Sequence, residues 1–442
     1  VSGANLLWKS NWEEEVIRED YLRVNHNVSL SGGSDKTKYF MSLDYLNEDG
    51  PVTPSNFERV SSRLNLETQV NDWFKVGLNS SFSRSSSNNP DQTSGNTTQV
   101  ISWIYGLSSI YPIYARDING VLIRDNAGGL IFDLGNGLIP GQAVNSTRPS
   151  YNGDNILAGL TLGKERRIRS NYLANLFAEI KLTNALTFKS RLSYENYLFD
   201  SFSFDDDKIG AASNVQGRVS QNRDLNTTLN AIQALNYTNS FENHNISIDV
   251  ITEAYTNTQD NLLSQGTGFL PGVQNLDSST VPETVGGNII ASRINSYLGR
   301  VNYNLNEKYF GEFSFRRDGS SRFNENTRWG NFLAGGASWI VSKENFLKSS
   351  NTLTFLKLRG SYGELGNNRT TSLFPYQSVF QTGFVNEGNS GILLEGVSDT
   401  RGKSLRPLFE GAEVEWRETL GVESEIGTVK KVKLDSLGGE IR

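Results

Sequence analysis

Side chains able to do covalent chemistry are scarce in this sequence. Its 442 residues include no cysteine and two histidines, His26 and His244. That excludes a disulfide framework, a thiolate metal site and a cysteine nucleophile, and leaves little room for imidazole chemistry. Both histidines sit inside polar–apolar alternations (Val24, His26, Val28; His244, Ile246, Ile248). This is the setting of a strand-face or interfacial side chain, so neither is assigned a catalytic role. Asp205-Asp206-Asp207 offers hard oxygen ligands, but it lacks the spaced Asp-x-Asn-x-Asp-Gly pattern of a calcium loop and reads better as a solvated loop. There is no nucleophile motif, phosphate-cradling glycine loop or histidine-rich metal set. Glu13, Glu14 and Asp318 cannot be paired as acid and base without geometry. Neither an enzyme nor a cofactor or metal is expected.

Binding chemistry has two candidate locations. Trp103, Tyr105, Tyr111 and Tyr114 cluster in one segment. Aromatic faces there could stack on the C–H faces of sugar rings while neighbouring Asn and Asp bond the hydroxyls, or the same rings could be the core of a structured loop. The string Arg316-Arg317-Asp318-Gly319-Ser320-Ser321-Arg322 lies at a strand end. Its charges read either as a salt-bridged turn, with Gly319 supplying an unusual backbone angle, or as contacts to a ligand or partner.

Composition narrows the scaffold that must hold these groups. Lys+Arg 42 against Asp+Glu 48 gives a net charge of −6, which provides no basic field for nucleic acid. Aromatics reach 11%, hydrophobic residues only 36%, and mean hydropathy is −0.43. A folded, polar, aromatic-rich chain fits these values, and a helical membrane protein does not.

The periodicity is two almost throughout. Leu22, Val24, Val28 and Leu30 alternate with polar residues before Gly32-Gly33-Ser34-Asp35 turns the chain, and Tyr39, Met41, Leu43 and Tyr45 return on one side. Equivalent runs recur at 64–70, 74–82, 172–182, 186–194, 225–237, 246–254, 297–305, 309–315, 329–341 and 356–362, with a weaker pair at 414–426 and 429–434. About fourteen strands are expected, many longer than the usual five or six residues. Only Lys343 to Leu347 looks briefly helical. Arg63, Glu67, Lys75, Glu179, Lys181, Glu312, Lys357 and Arg359 lie opposite the apolar set, so that face must be wet.

A soluble sandwich also has one polar face per sheet. The connections discriminate better. Short turns (Asn71-Asp72, Thr183-Asn184, Thr238 to Asn243, Asn306-Glu307) alternate with long segments at 86–169, 198–222, 256–291 and 365–410. Sorting of loop length by end belongs to transmembrane β-barrels. The longest segment is expected to carry structure of its own, with Asp117-Ile118-Asn119-Gly120 as a type I′ turn. Tyr39, Tyr45, Trp73, Tyr237, Tyr255, Tyr303, Tyr309, Trp329 and Trp339 at strand ends suit aromatic girdles, although Tyr and Trp favour any strand.

Several strings then resemble a known family. They are Asn11-Trp12-Glu13-Glu14-Glu15-Val16, His26-Asn27-Val28-Ser29-Leu30-Ser31-Gly32-Gly33, Thr37-Lys38-Tyr39-Phe40-Met41-Ser42 and Phe57-Glu58-Arg59 ahead of Arg63-Leu64-Asn65-Leu66. Trp73-Phe74-Lys75-Val76-Gly77, Arg293-Ile294-Asn295-Ser296-Tyr297, Arg316 to Phe323 and Leu356 to Gly363 continue the order. Together they resemble the SusC-like branch of TonB-dependent outer-membrane transporters of Bacteroidetes, from about residue 11 to 367. The resemblance implies a barrel of about twenty-two strands, plugged by an N-terminal domain and importing glycans or peptides with energy delivered through TonB. It also implies a SusD-like lipoprotein as a lid. Neither plug nor TonB-contact segment precedes Val1, and the tail from Arg401 resembles the family less well.

The expected fold is thus all-β, an antiparallel transmembrane β-barrel segment, part of a larger barrel with long extracellular loops. Residues 1–442 form one partial receptor barrel: 1–21 a lead-in, 22–85 two hairpins, 86–169 a long extracellular loop, 170–364 further hairpins, and 365–442 a loop with weakly matched terminal strands. The expected partners are a SusD-like lipoprotein, the TonB complex, outer-membrane lipids and a glycan or peptide. The alternatives are a complete, smaller passive porin or adhesin barrel and a secreted all-β glycan-binding module.

Overall fold

A computed structural model describes residues 8–89, 99–143, 147–270, 272–347, 353–368 and 376, and the backbone of short stretches at 385–386, 389–390 and 415–427. Strands β1 (Arg23–Gly33), β2 (Thr37–Asp49), β3 (Asn56–Asn71), β4 (Phe74–Asn88), β5 (Lys164–Lys181) and β6 (Leu186–Asp205) are followed by β7 (Arg218–Phe241), β8 (His244–Thr267), β9 (Val281–Leu305), β10 (Tyr309–Ser320), β11 (Trp329–Ile340) and β12 (Phe355–Asn367). A two-residue pair, β13 (Val385–Asn386) and β14 (Asn389–Ser390), stands apart, and β15 (Glu415–Gly427) pairs with β12. The main sheet has thirteen strands, in chain order from β1 to β12 and then β15, and every pairing is antiparallel. Thirteen of the expected strands are present; the one expected at 429–434 lies outside the described residues.

The register makes one continuous apolar face. Met41 pairs with Leu64, Leu66 with Leu78, Leu78 with Leu176 and Leu176 with Leu192. The band runs on through Leu235 opposite Val250, Val301 opposite Phe313, and Phe315 opposite Leu333. Because side chains alternate with period two, any one-residue slip would reverse the faces. No second sheet covers this band among the described residues. Val28 is 70% exposed, Leu43 63%, Val250 54% and Phe313 53%. In water such an area would drive aggregation, whereas beside acyl chains it is the favoured surface. The opposite face lines hollows of ≈ 620 and ≈ 740 Å³, with Glu312, Lys357 and Arg359 in the walls of the first and Glu179, Lys189 and Arg191 in those of the second. The chain is therefore an antiparallel transmembrane β-barrel segment, and among the described residues no helix is long and apolar enough to cross a membrane.

Most connections sort by end as expected. One end has 34–36, 72–73, 182–185, 242–243 and 306–308; the other has 50–55, 89–163, 206–217, 268–280 and 321–328. The exception is 341–354, a long connection that lies at the short-turn end beside 306–308. The long segments expected at 198–222 and 256–291 are mostly strand, because β6, β7, β8 and β9 run on to 20, 24, 24 and 25 residues. A bilayer needs only about 9–11 tilted residues per strand. Part of these extensions (Gln221, Asn222, Thr256, Asn257, Thr258, Gln259) is polar on both faces and carries no alternation, while the rest holds scattered apolar residues such as Phe202, Phe204, Leu262, Leu263, Val285 and Ile289. The helical turn expected at Lys343 to Leu347 is a 3-10 turn at Val341–Lys343.

The buried core lies in the loop end. Helices α1 (Trp12–Val16), α2 (Val100–Gly106) and α3 (Ile156–Leu162) enclose a cluster of Trp12, Val16, Val100, Trp103, Leu107 and Ile113 with Ile156, Leu157 and Leu160. The lead-in and the longest loop thus fold as one unit.

Candidate functional site

The inner face carries a lattice of polar pairs built by the register. Glu67, Lys75, Glu179 and Lys189 form a charge ladder across β3 to β6, with Lys75–Glu67 at 2.9 Å and Lys189–Glu179 at 3.7 Å. Higher up, Arg316 on β10 forks onto Asp318 (2.8 and 2.9 Å), and reaches Glu253 on β8 (3.3 Å) and Ser296 on β9 (3.0 Å). Asn230 on β7 donates to the same Glu253 at 3.1 Å. Asn236 with Asp249 (2.7 Å) and Arg300 with Glu312 (2.9 Å) continue the lining toward the short turns. Such a surface can exchange hydrogen bonds with water or with a polar solute.

Arg316 is the only described cation in contact with the Glu253–Asp318 pair. Removing it leaves two carboxylates facing one another, but the Arg316 side chain is 40% exposed, so solvent screens much of the loss. Arg316→Ala should lower stability by only about 1 kcal/mol, and Glu253→Gln in the same chain should recover part of it. A double-mutant cycle in thermal unfolding measures this; strict additivity would contradict the network.

The string expected to act together at 316–322 is divided by the pleat. Arg316 and Asp318 face the bore, whereas Arg317 and Gly319 face outward, in register with Tyr297 and Asn295. The Arg317 guanidinium lies 5.1 Å from the Trp329 ring centroid, and Trp329 stacks on Tyr297 at 6.1 Å. Gly319 is not needed for an unusual backbone angle, as it is extended within β10. It is needed for space: a Cβ there would lie 2.8 Å from the Trp329 ring. Arg322, in the 321–328 loop, donates to the Asn368 carbonyl at 3.3 Å.

In the loop unit, three of the four expected aromatics form core. Trp103 is fully buried, 5.3 Å from Trp12 and 4.5 Å from Tyr151, and has no free face for a sugar. Tyr111 and Tyr114 pack against the same cluster, Tyr114 on Phe132 at 5.3 Å. Tyr105 points away from it and is 81% exposed. The turn at 117–120 is present, but positive φ occurs only at Gly120 (82°), so it is a type I turn followed by a left-handed glycine rather than type I′. Asp117 Oδ1 accepts from the Asn119 and Val121 amides, and Arg116 donates to the Gly120 carbonyl. The same device recurs eight residues on at Arg124, Asp125 and Gly128. Asn155 caps α3 at the Ala158 amide and ties it to the Ile113 and Asp133 carbonyls.

Asp133 and Arg148 are buried beneath this unit. The Arg148 guanidinium sits 5.4 Å from the Trp103 ring centroid and donates to the carbonyls of Asp133, Tyr151 and Asp154. Burial raises the carboxyl pKa of Asp133 and Asp154 against the opposing pull of Arg148. The folded unit therefore holds these protons more tightly than the unfolded chain. Stability should fall as pH rises from the unfolded pKa through the raised folded values, and return on acidification. Hydrogen exchange over 100–160, corrected for intrinsic rates, should show protection that declines as pH rises from about 4, the ordinary carboxylate value, toward neutrality. Asp133→Asn should flatten part of that dependence; an unchanged slope would contradict it.

Between α3 and the 206–217 loop lies a hollow of ≈ 510 Å³ lined by Asp154, Glu165, Asp205, Asp206, Lys164 and Arg218. Asp206 accepts from the Lys208 amide (3.0 Å), and burial raises its pKa. Among the described residues no group of three or more His, Asp or Glu side chains gathers as a metal site.

A sheet with an apolar exterior, a charged interior and its most elaborated loop at one end defines the wall of a transmembrane β-barrel. No known protein-family profile matches the chain. TonB-dependent receptor P3 of Formosa agariphila is 31% identical over 84% of the chain and 35% of its own length. TonB-dependent receptor SusC of Bacteroides thetaiotaomicron is 24% identical over 94% of the chain and 41% of its own length. The solved RagAB peptide transporter superposes with a TM-score of 0.68 at 21% identity, over 95% of this chain and 44% of that one. The chain belongs to the SusC-like TonB-dependent receptors, and spans between a third and two fifths of the length of the curated relatives it matches.

Proposed function

We propose that this chain is barrel wall of an outer-membrane importer for glycan or peptide nutrients, energised by TonB acting on a plug domain and covered by a SusD-like lipoprotein. One observation carries the reading: an unbroken apolar exterior and a charged, hydrogen-bonding interior are fixed by a single thirteen-stranded register. Arg316, Asp318 and Glu253 lie on the path inside, while Tyr105 and the hollow beside Asp154 and Asp206 face solutes arriving at the loop end. Relatives named as TonB-dependent receptors, and a structural neighbour named as a peptide transporter, support the same reading.

Deletion of the gene should abolish growth on one class of oligomeric glycan or peptide, and complementation should restore it. Uptake of the labelled nutrient should stop when a protonophore collapses the inner-membrane gradient. Uptake that persists without that gradient would favour passive diffusion and overturn the TonB-driven reading.

A further inference from the structure

The outward half of the 316–322 string has no part in the bore. Arg317 is exposed and makes no ion pair or hydrogen bond among the described residues. Among the described residues its side-chain partner is the Trp329 ring, which lies against β10 where Gly319 leaves the space open. Trp329 in turn stacks on Tyr297. Along β10 the outward series is Tyr309, Gly311, Phe313, Phe315 and then Arg317, so the guanidinium stands one step beyond the last apolar residue. That is the level at which acyl chains give way to headgroups. The nearby outward carboxylate, Glu364, is already engaged by the Leu333 amide and the Tyr362 hydroxyl.

The two edges of the apolar band differ. At the short-turn edge the polar atoms are satisfied within the protein: Tyr309 donates to Glu344 at 2.5 Å, Trp339 Nε1 to Glu344 at 3.1 Å, and His244 bonds the Tyr303 hydroxyl at 2.6 Å. At the loop edge, Arg84 on β4 repeats the position of Arg317, one step beyond Phe82, and is exposed. On β7 the equivalent Arg223 stands in register with Asp200, so its charge is opposed and it is left out. Among the described residues, outward arginines without an ion pair (Arg84, whose nearest outward carboxylate Glu58 lies diagonally across the pair, and Arg317) occur at the loop edge, which fits a leaflet whose headgroups carry fixed negative charge.

We propose that Arg317, oriented by Trp329, binds a phosphate of a phosphorylated glycolipid in the leaflet on the loop side. A guanidinium presents a planar fork of donors that matches phosphate oxygens, and ring stacking holds that fork at the headgroup level with less loss of side-chain freedom on binding. The inference rests on the membrane reading above.

The test uses the whole receptor, purified in detergent and examined by native mass spectrometry with bis-phosphorylated lipid A, its dephosphorylated form, and inorganic phosphate as competitor. The wild type should retain the phosphorylated lipid about tenfold better than Arg317→Gln does, and should not distinguish itself from that variant with the dephosphorylated lipid. Arg317→Lys should restore part of the affinity, and Trp329→Leu should weaken it while the melting temperature of each variant confirms folding. Equal retention by wild type and Arg317→Gln would overturn the proposal. Displacement by inorganic phosphate at concentrations equal to those of the lipid would overturn the lipid as ligand in favour of a simple anion site. So would loss of lid-protein binding in Arg317→Gln with lipid retention unchanged, which would make Arg317 a protein contact. Failure of the membrane reading would show differently, as a receptor that stays monomeric in buffer without detergent.

Discussion

Val301→Arg should cost about 2–4 kcal/mol of folding stability in a bilayer, and Asn302→Arg, one residue on, should change it by no more than about 0.5 kcal/mol. Val301 pairs with Ile248 and Phe313 in the middle of the apolar band, so an arginine there must bury its charge in hydrocarbon or bend toward a headgroup. Asn302 pairs with Ser247 and Glu312 on the wet face, where an added cation meets water and a carboxylate. Refolding of the whole receptor into vesicles under a urea gradient gives both values. Equal cost at the two positions would mean that the faces do not have different solvents.

Trp103→Ala should loosen the loop unit by about 3–5 kcal/mol while leaving the sheet in place. Its ring fills the space between Trp12 and Tyr151 and supports the Arg148 guanidinium. A cavity there separates α1 from α2 and removes the aromatic face under a buried cation. Limited proteolysis should then cut within 99–163 first, with strands β5 to β12 still protected. Tyr105→Ala, by contrast, removes an exposed ring and should leave the protease pattern unchanged. If both variants were cut alike, Trp103 would not be core.

The strands were legible where one face meets lipid and the other water, since only there do Leu176, Leu192 and Val250 alternate with Asn175, Arg191 and Asp249. Where β7 and β8 first rise beyond the apolar band both faces are polar, and Asn222 or Thr258 carries no sign of its direction; farther out Leu262, Leu263, Val285 and Ile289 are apolar but do not continue a period of two through the segment. These stretches therefore read as loop. The 316–322 string divides for a related reason: Arg316 and Asp318 pair on one face, and period two places Arg317 between them on the opposite side of the sheet. The aromatic set at 103–114 showed that a folded loop was present without showing which rings face inward. In α2 the buried Val100 and Trp103 alternate with the exposed Ile101 and Tyr105, and seven residues are too few for a helical stripe to stand out. Glu253, Asp133 and Arg148 left no local signal, because their partners lie far along the chain and meet them only through the register.

A cysteine scan along β9 tests the central claim most directly, and these 442 residues contribute no native cysteine to the background. Single cysteines at 298 to 304 in the whole receptor, in intact outer membranes, would be challenged with a charged maleimide and with a lipid-soluble one. Positions 298, 300, 302 and 304 should react with the charged reagent, and positions 299, 301 and 303 only with the lipid-soluble one. Reaction of the odd positions with the charged reagent at the rate of the even ones would contradict a wall with acyl chains on one side and water on the other.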